Sequence, residues 1–225
     1  MTLTLSKGER IGGVFFLLAQ FLAVPVAVTL VCDRAGIASD AVINIANFAV
    51  NAALALLCFR RLLVESFRRF FSHPKKTLLT ALVGLGLYWV VNIAMTALTL
   101  MIEPEFGNVN DANILTLMAQ QPVLMALAVI FAAPLAEECL FRGWIFTGLA
   151  RRSVALAYAV SCGFFSAAHV VGYIGLYEPR TLVLCFIQYL GPSFVLCRTC
   201  QKDDSLCAPL LMHMAINAMS CIFLG

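Results

Sequence analysis

Six residues near the middle of the chain, Glu137-Glu138-Cys139-Leu140-Phe141-Arg142, put two carboxylates and a guanidinium inside a segment otherwise apolar enough to cross a membrane. An ionised carboxylate near a bilayer centre costs roughly 2.5–3.5 kcal/mol on insertion scales, so intramembrane acids mark functional sites by default. Glu138 and Arg142 stand at i, i+4 with the acid first, the better order for an ion pair on a helix. Glu137 points about 100° away around the helix and lacks that counter-ion. An unneutralised carboxylate out of water is suited to take a proton from water as a general base.

Other groups can join it. Of three histidines, His73 lies in a basic stretch, while His169 and His213 fall inside two further apolar segments. Glu137, His169 and His213 each lie within about five residues of the middle of their segments, about 8 Å or less in depth at 1.5 Å per residue. They can therefore converge in one polar cavity. His169 can share the attacking water or shuttle its proton. His213 and Asn217, again i, i+4, can place an imidazole and an amide side by side as an oxyanion hole. Phe165, i, i+4 to His169, can shield the site. Taken singly, each feature has a plainer reading as helix glue or core; their joint occurrence on three helices favours the catalytic one.

The elements that must position these groups follow from composition. The chain has 225 residues, 62% hydrophobic and 12% charged, against about 25% charged in soluble domains. It reads as an all-α, polytopic transmembrane bundle of about seven spans. Apolar stretches near the ~20-residue spanning length fall at about 12–32, 41–59, 77–102, 122–150, 154–175, 181–200 and 206–225. The first is too long for a signal-peptide core and is expected to be a permanent span.

Seven spans sort the 15 basic residues unevenly. Lys7, Arg10, Arg60, Arg61, Arg68, Arg69, Lys75, Lys76, Arg151, Arg152, Arg198 and Lys202 share the N-terminal side. Only Arg34 and Arg180 lie opposite, with Arg142 inside a span. The bias predicts a cytoplasmic N-terminus. Residues 60–76, between spans two and three, mix these bases with Leu62, Leu63, Val64, Phe67, Phe70 and Phe71 and predict a basic amphipathic helix on the cytoplasmic leaflet. The stretch from Glu103 to Gln121 is acidic and is expected to be an outer loop. Pro134 is expected to kink span four beside Glu137, and Gly191-Pro192 to do the same in span six. Nine scattered cysteines show no disulfide framework; Cys197-x-x-Cys200 with Cys207 reads as apolar filler. We read residues 1–225 as a single membrane domain, with 122–225 as its motif-bearing catalytic core.

Glu-Glu-x-x-x-Arg at 137–142, Phe-x-x-x-His at 165–169 and His-x-x-x-Asn at 213–217 resemble, in order and spacing, the motifs of the CPBP intramembrane proteases. This family is also called the CAAX protease and bacteriocin-processing, or Abi, family, and it includes the type II CAAX-prenyl endopeptidases. The resemblance covers about Val123 to Gly225. It implies that Glu137 and His169 activate water, that His213 and Asn217 stabilise the oxyanion, and that Glu138, Arg142 and Phe165 support them. It further implies a glutamate-type intramembrane endopeptidase acting on a membrane-associated protein or peptide, prenylated in the eukaryotic relatives; the compact 225-residue chain points to a bacterial plasma membrane. No cofactor is expected. A zinc enzyme using Glu137, His169 and His213 is the alternative within that chemistry, although a His-Glu-x-x-His helix is missing. A non-catalytic member, binding a membrane partner as an immunity protein or regulator, is the alternative function. A proton-coupled transporter is disfavoured because no inverted repeat is seen. Partners are the lipid bilayer and a peptide; nothing suggests nucleic acid.

Overall fold

The computed structural model describes residues 2–224 and is helical throughout, with no strand beyond one isolated bridge between Ile174 and Tyr177 among the described residues. Nine helices follow in order: α1 Lys7–Arg34, α2 Asp40–Cys58, α3 Arg60–Ser72, α4 Pro74–Ile102, α5 Val109–Gln120, α6 Pro122–Ala150, α7 Val154–Ala168, α8 Pro179–Asp203 and α9 Cys207–Leu224. Six are long and apolar enough to span a membrane, namely α1, α2, α4, α6, α8 and α7 with its 3-10 extension to Tyr173. The expected seventh span is α9, an apolar helix shorter than the rest. The outward faces carry Ile11, Leu22, Leu57, Leu82 and Val90, all more than 60% exposed, as lipid-facing surface requires.

The basic stretch forms the expected amphipathic helix α3. Leu62, Leu63 and Ser66 are buried against the bundle, while Val64, Phe67 and Phe71 form an exposed apolar stripe at i, i+3, i+7, the geometry of a helix lying in an interface. Glu9 ties this helix to the first. It completes a capping box with Ser6, and its other oxygen accepts from the Leu62 backbone N–H at 2.6 Å. One buried carboxylate thus caps the starts of both α1 and α3, where orphan N–H groups collect.

The Glu103–Gln121 stretch is not simply a loop. Most of it is α5, begun by Asn108, whose side chain accepts from the N–H groups of Asn110 and Asp111, as a helix N-cap does. Tertiary contacts of this helix with α8 settle what an acidic, weakly apolar sequence left open.

Three segments depart to π-helical pairing: Ala19–Ala23 in α1, and Ala128–Ala132 and Glu138–Phe146 in α6. Pro134 explains one consequence. The Ala133 N–H turns to Ala128 O, and Pro134, next in the π register, has no N–H to offer Val129 O. Asn217 of α9 fills the gap, its amide donating to Val129 O at 2.8 Å. Ser161 of α7 likewise donates to Phe141 O at 2.8 Å. In a membrane, carbonyls released from a helix ladder must find such partners within the protein. Close helix approach is set at two glycines of α4 and α8. A Cβ on Gly84 would stand 2.5 Å from Thr199 Oγ1, and one on Gly191 2.6 Å from Val91 Cγ1. Small residues let membrane helices pack at this range.

The N-terminal segment is clamped at the basic end. Asp204 accepts from the backbone N–H groups of Thr2 at 2.8 Å and Leu3 at 3.1 Å, from the Thr2 hydroxyl, and from Arg69 at 2.8 Å. Burial alone would raise its carboxyl, but these donors together hold it below the ordinary carboxylate value. A carboxyl lowered by folding contributes stability above its unfolded value, about 3.9, and loses it as pH falls through the folded value. Asp204 adopts a left-handed φ of +59°, which Asn tolerates, so Asp204→Asn isolates the charge. Thermal unfolding in detergent should show the variant weaker by on the order of 1 kcal/mol near neutrality, with the difference from wild type closing below about pH 4. A difference unchanged between pH 7 and pH 3 would show that the charge is not responsible.

Candidate active site

The π-helical turn of α6 begins at Glu138, immediately after Glu137. Single π turns inside α-helices recur at functional sites. Glu138 and Arg142 pair as their spacing predicts, at 3.0 Å, with side-chain exposures of 1% and 0%. Arg142 is among the largest fully buried side chains of the molecule. Its Nη2 donates to Ser193 of α8, to the hydroxyl at 2.9 Å and the carbonyl at 3.2 Å. Its guanidinium carbon lies 4.4 Å from the centre of the Phe165 ring, within cation–π range.

His213 of α9 also joins this pair. Its Nδ1 lies 2.8 Å from Glu138 Oε1, the same oxygen that accepts from Arg142. Assigned from this contact, Nδ1 carries the proton, since a carboxylate can only accept. The other nitrogen, Nε2, faces Glu137 Oε2 at 3.8 Å, beyond direct hydrogen bonding. Glu138 is therefore the hinge of a buried Arg142–Glu138–His213 triad, while Glu137 stands free at its edge with 18% side-chain exposure.

His169 closes α7 as its C-terminal cap. Its Nδ1 lies 2.8 Å from Phe165 O, and a carbonyl demands a donor there, so Nε2 is left as the open acceptor. The imidazole packs against two rings, Phe165 at 4.4 Å and Tyr189 of α8 at 4.3 Å between centroids, which are themselves 6.4 Å apart. Phe165 lies between the parts of the site, 6.1 Å from the His213 ring. Glu137, Glu138, Arg142, Phe165, His169 and His213 are thus brought together, and Asn217 sits one turn beyond His213. Among the described residues no direct hydrogen bond joins Glu137 to His169. One amide hydrogen of Asn217 is committed to Val129 O, leaving the second.

Two contributors were not singled out in the sequence. Ser193 holds Arg142, and Tyr189, one turn before it on α8, stacks on His169. Tyr189 in turn donates to Asp111 of α5 at 2.9 Å, with Asn108 Oδ1 3.3 Å from the same hydroxyl. The only available signal was the i, i+4 pair of polar side chains in an apolar span beside Gly191-Pro192.

Three buried polar atoms at the site, Glu137 Oε2, Glu138 Oε2 and Arg142 Nε, have no hydrogen-bond partner within the protein. Buried polar groups are otherwise almost always paired, so the cluster suits a polar occupant such as water or a peptide carbonyl. Among the described residues no three His, Cys, Asp or Glu side chains gather in a metal-holding group. Cys197, Cys200 and Cys207 are buried free thiols.

A helical bundle with six spanning helices and a polar, charged site among them defines an integral membrane protein. Within it, residues 119–219 match the family model described as Type II CAAX prenyl endopeptidase Rce1-like. That segment holds the acid pair, both histidines and Asn217, and corresponds to the stretch over which the motifs resemble the family. Over that segment the chain is similar to a CAAX-protease-like membrane endopeptidase domain. Neither curated proteins nor solved structures gave a match.

Proposed function

We propose that the protein is an intramembrane endopeptidase that hydrolyses a peptide bond of a membrane-associated protein or peptide with a water activated by Glu137. The observation that carries this reading is the contrast between neighbouring carboxylates. Glu138 is engaged by Arg142 and His213, whereas the Oε2 of Glu137 is buried without a partner in the protein and faces the His213 ring.

Glu137 accepts a proton from water as the oxygen attacks the scissile carbonyl carbon, and the carbonyl π pair moves onto oxygen. The open Nε2 of His169 receives a hydrogen bond from the same water and orients its lone pair. In the doubly protonated form His213 donates through Nε2–H to the oxyanion while its Nδ1–H stays on the Glu138 carboxylate, as a buried acid holds a catalytic imidazolium. The second amide hydrogen of Asn217 is the other oxyanion donor. Collapse breaks the C–N bond, and the proton held by Glu137 passes to the leaving amine. The chelator-independent, glutamate-type form is favoured because Glu137, His169 and His213, although in one region, do not form a three-residue metal-holding group. The basic end carries α3 and most cationic residues, which supports a cytoplasmic N-terminus.

The test is cleavage of a prenylated CAAX-type peptide and its unprenylated counterpart by purified protein in liposomes, with and without chelator. Cleavage that survives chelation supports the reading. Loss on chelation with recovery on zinc addition would overturn the metal-free mechanism, and wild-type protein no faster than a Glu137→Ala control on both peptides would count for a non-catalytic role.

Tyr189 gives a smaller, separable effect. An aromatic pair contributes about 0.5–1.5 kcal/mol, so Tyr189→Ala should lower kcat roughly 2- to 12-fold at 1.36 kcal/mol per tenfold. Tyr189→Phe keeps the ring on His169 and should retain most of the rate. Equal losses in the two variants would assign the effect to the Asp111 bond instead.

A further inference from the structure

A groove of about 260 Å³ runs between α4 and α8 at the basic end, away from the site residues. Its wall is apolar, formed by Leu79, Val83 and Leu87 of α4. Leu79 and Val83 are more than 60% exposed, so the groove opens toward lipid. Its rim carries Arg198 and Lys202, one turn apart on α8. Both are exposed, and among the described residues neither forms an ion pair. The acids that end α8 are engaged elsewhere: Asp203 accepts from Thr77 at 2.8 Å and from the Ala208 N–H at 3.3 Å, and Asp204 holds Thr2 and Arg69. Two unneutralised cations thus stand at the head of an apolar slot.

We propose that this groove binds one anionic phospholipid, with its phosphate on Arg198 and Lys202 and an acyl chain along Leu79, Val83 and Leu87. Basic pockets between membrane helices hold anionic headgroups in this way. A soluble anion would gain nothing from the apolar wall, and a zwitterionic lipid would leave the paired cations unneutralised. The site also has a route to the catalytic centre. Thr199 at the floor packs its Oγ1 3.5 Å from Met212 Sδ, and a Cβ on Gly84 would come within 2.7 Å of that sulfur. Met212 directly precedes His213, so the bound lipid is separated from the histidine-bearing helix by one layer of side chains.

The binding itself is testable without any assumption about catalysis. Purified protein in detergent is incubated with equal phosphatidylglycerol and phosphatidylcholine, and retained lipid is read by native mass spectrometry. Wild type should retain phosphatidylglycerol selectively. At about 1 kcal/mol per cation, Arg198→Gln/Lys202→Gln should weaken that binding about 30-fold. Val83→Trp, which fills the slot and leaves the cations in place, should also displace the lipid. Arg151→Gln/Arg152→Gln, removing a basic pair outside the groove, should leave retention unchanged. Equal retention of both lipids by wild type would overturn the proposal. So would unchanged retention in either groove variant, or an equal loss in the Arg151/Arg152 variant.

Discussion

Glu137→Gln should fold, keep the Arg142–Glu138–His213 triad, and lose peptide cleavage by roughly 10²–10⁴-fold, the range expected for removing a positioned general base. The substitution keeps the size of the side chain and removes only its capacity to accept a proton. Glu137 Oε2 accepts no hydrogen bond within the protein, so little structure depends on its charge, and thermal stability should change by less than about 1 kcal/mol. The loss should appear in kcat rather than KM, because the proton moves only in the transition state. Single-turnover cleavage in liposomes, together with a melting curve of the same preparation, separates the two effects. A variant that cleaves within a few-fold of wild type would remove Glu137 from the mechanism.

Arg142→Met should have the opposite profile, a folding defect large enough to dominate any kinetic one. The guanidinium is wholly buried and bonds Glu138, both the hydroxyl and the carbonyl of Ser193, and the face of Phe165. Removing one member of a buried ion pair leaves an uncompensated charge and costs about 3–5 kcal/mol. The double change Glu138→Gln/Arg142→Met removes both charges and should recover a large part of that loss. It should not recover cleavage, since His213 then lacks the carboxylate that stabilises its charged form. Unfolding monitored by cysteine accessibility, with nine free thiols as reporters, measures the stability difference. Additive effects of the two single changes would show that the pair is not energetically coupled.

Much of the site was legible because helical spacing is a strong constraint. Glu138 and Arg142 at i, i+4 could hardly fail to meet in a medium with no water to take either charge, and they do so. The same spacing puts His213 and Asn217 on one face, and each is also bonded to a different part of α6: His213 to Glu138, and Asn217 to Val129 O. A one-dimensional reading sees partners on the same helix and misses those opposite. It also missed Tyr189, whose role comes from a stack with a residue 20 positions earlier and bonds to a helix nearly 80 positions earlier. The spans were readable from apolar length, whereas α5 was taken for loop because its helix is fixed by contacts with α8 more than by its own periodicity. The π turns had no sequence signature beyond Pro134, since φ and ψ in a π turn differ little from those of an α-helix.

The last helix, α9, carries two of the site residues, His213 and Asn217. Hydrophobic matching alone leaves a membrane helix free to ride up or down by several ångströms at modest cost. Two polar bonds to α6, from His213 and Asn217, remove that freedom. The vertical registration of the histidine against the acids is therefore written into side-chain chemistry between helices and not into helix length.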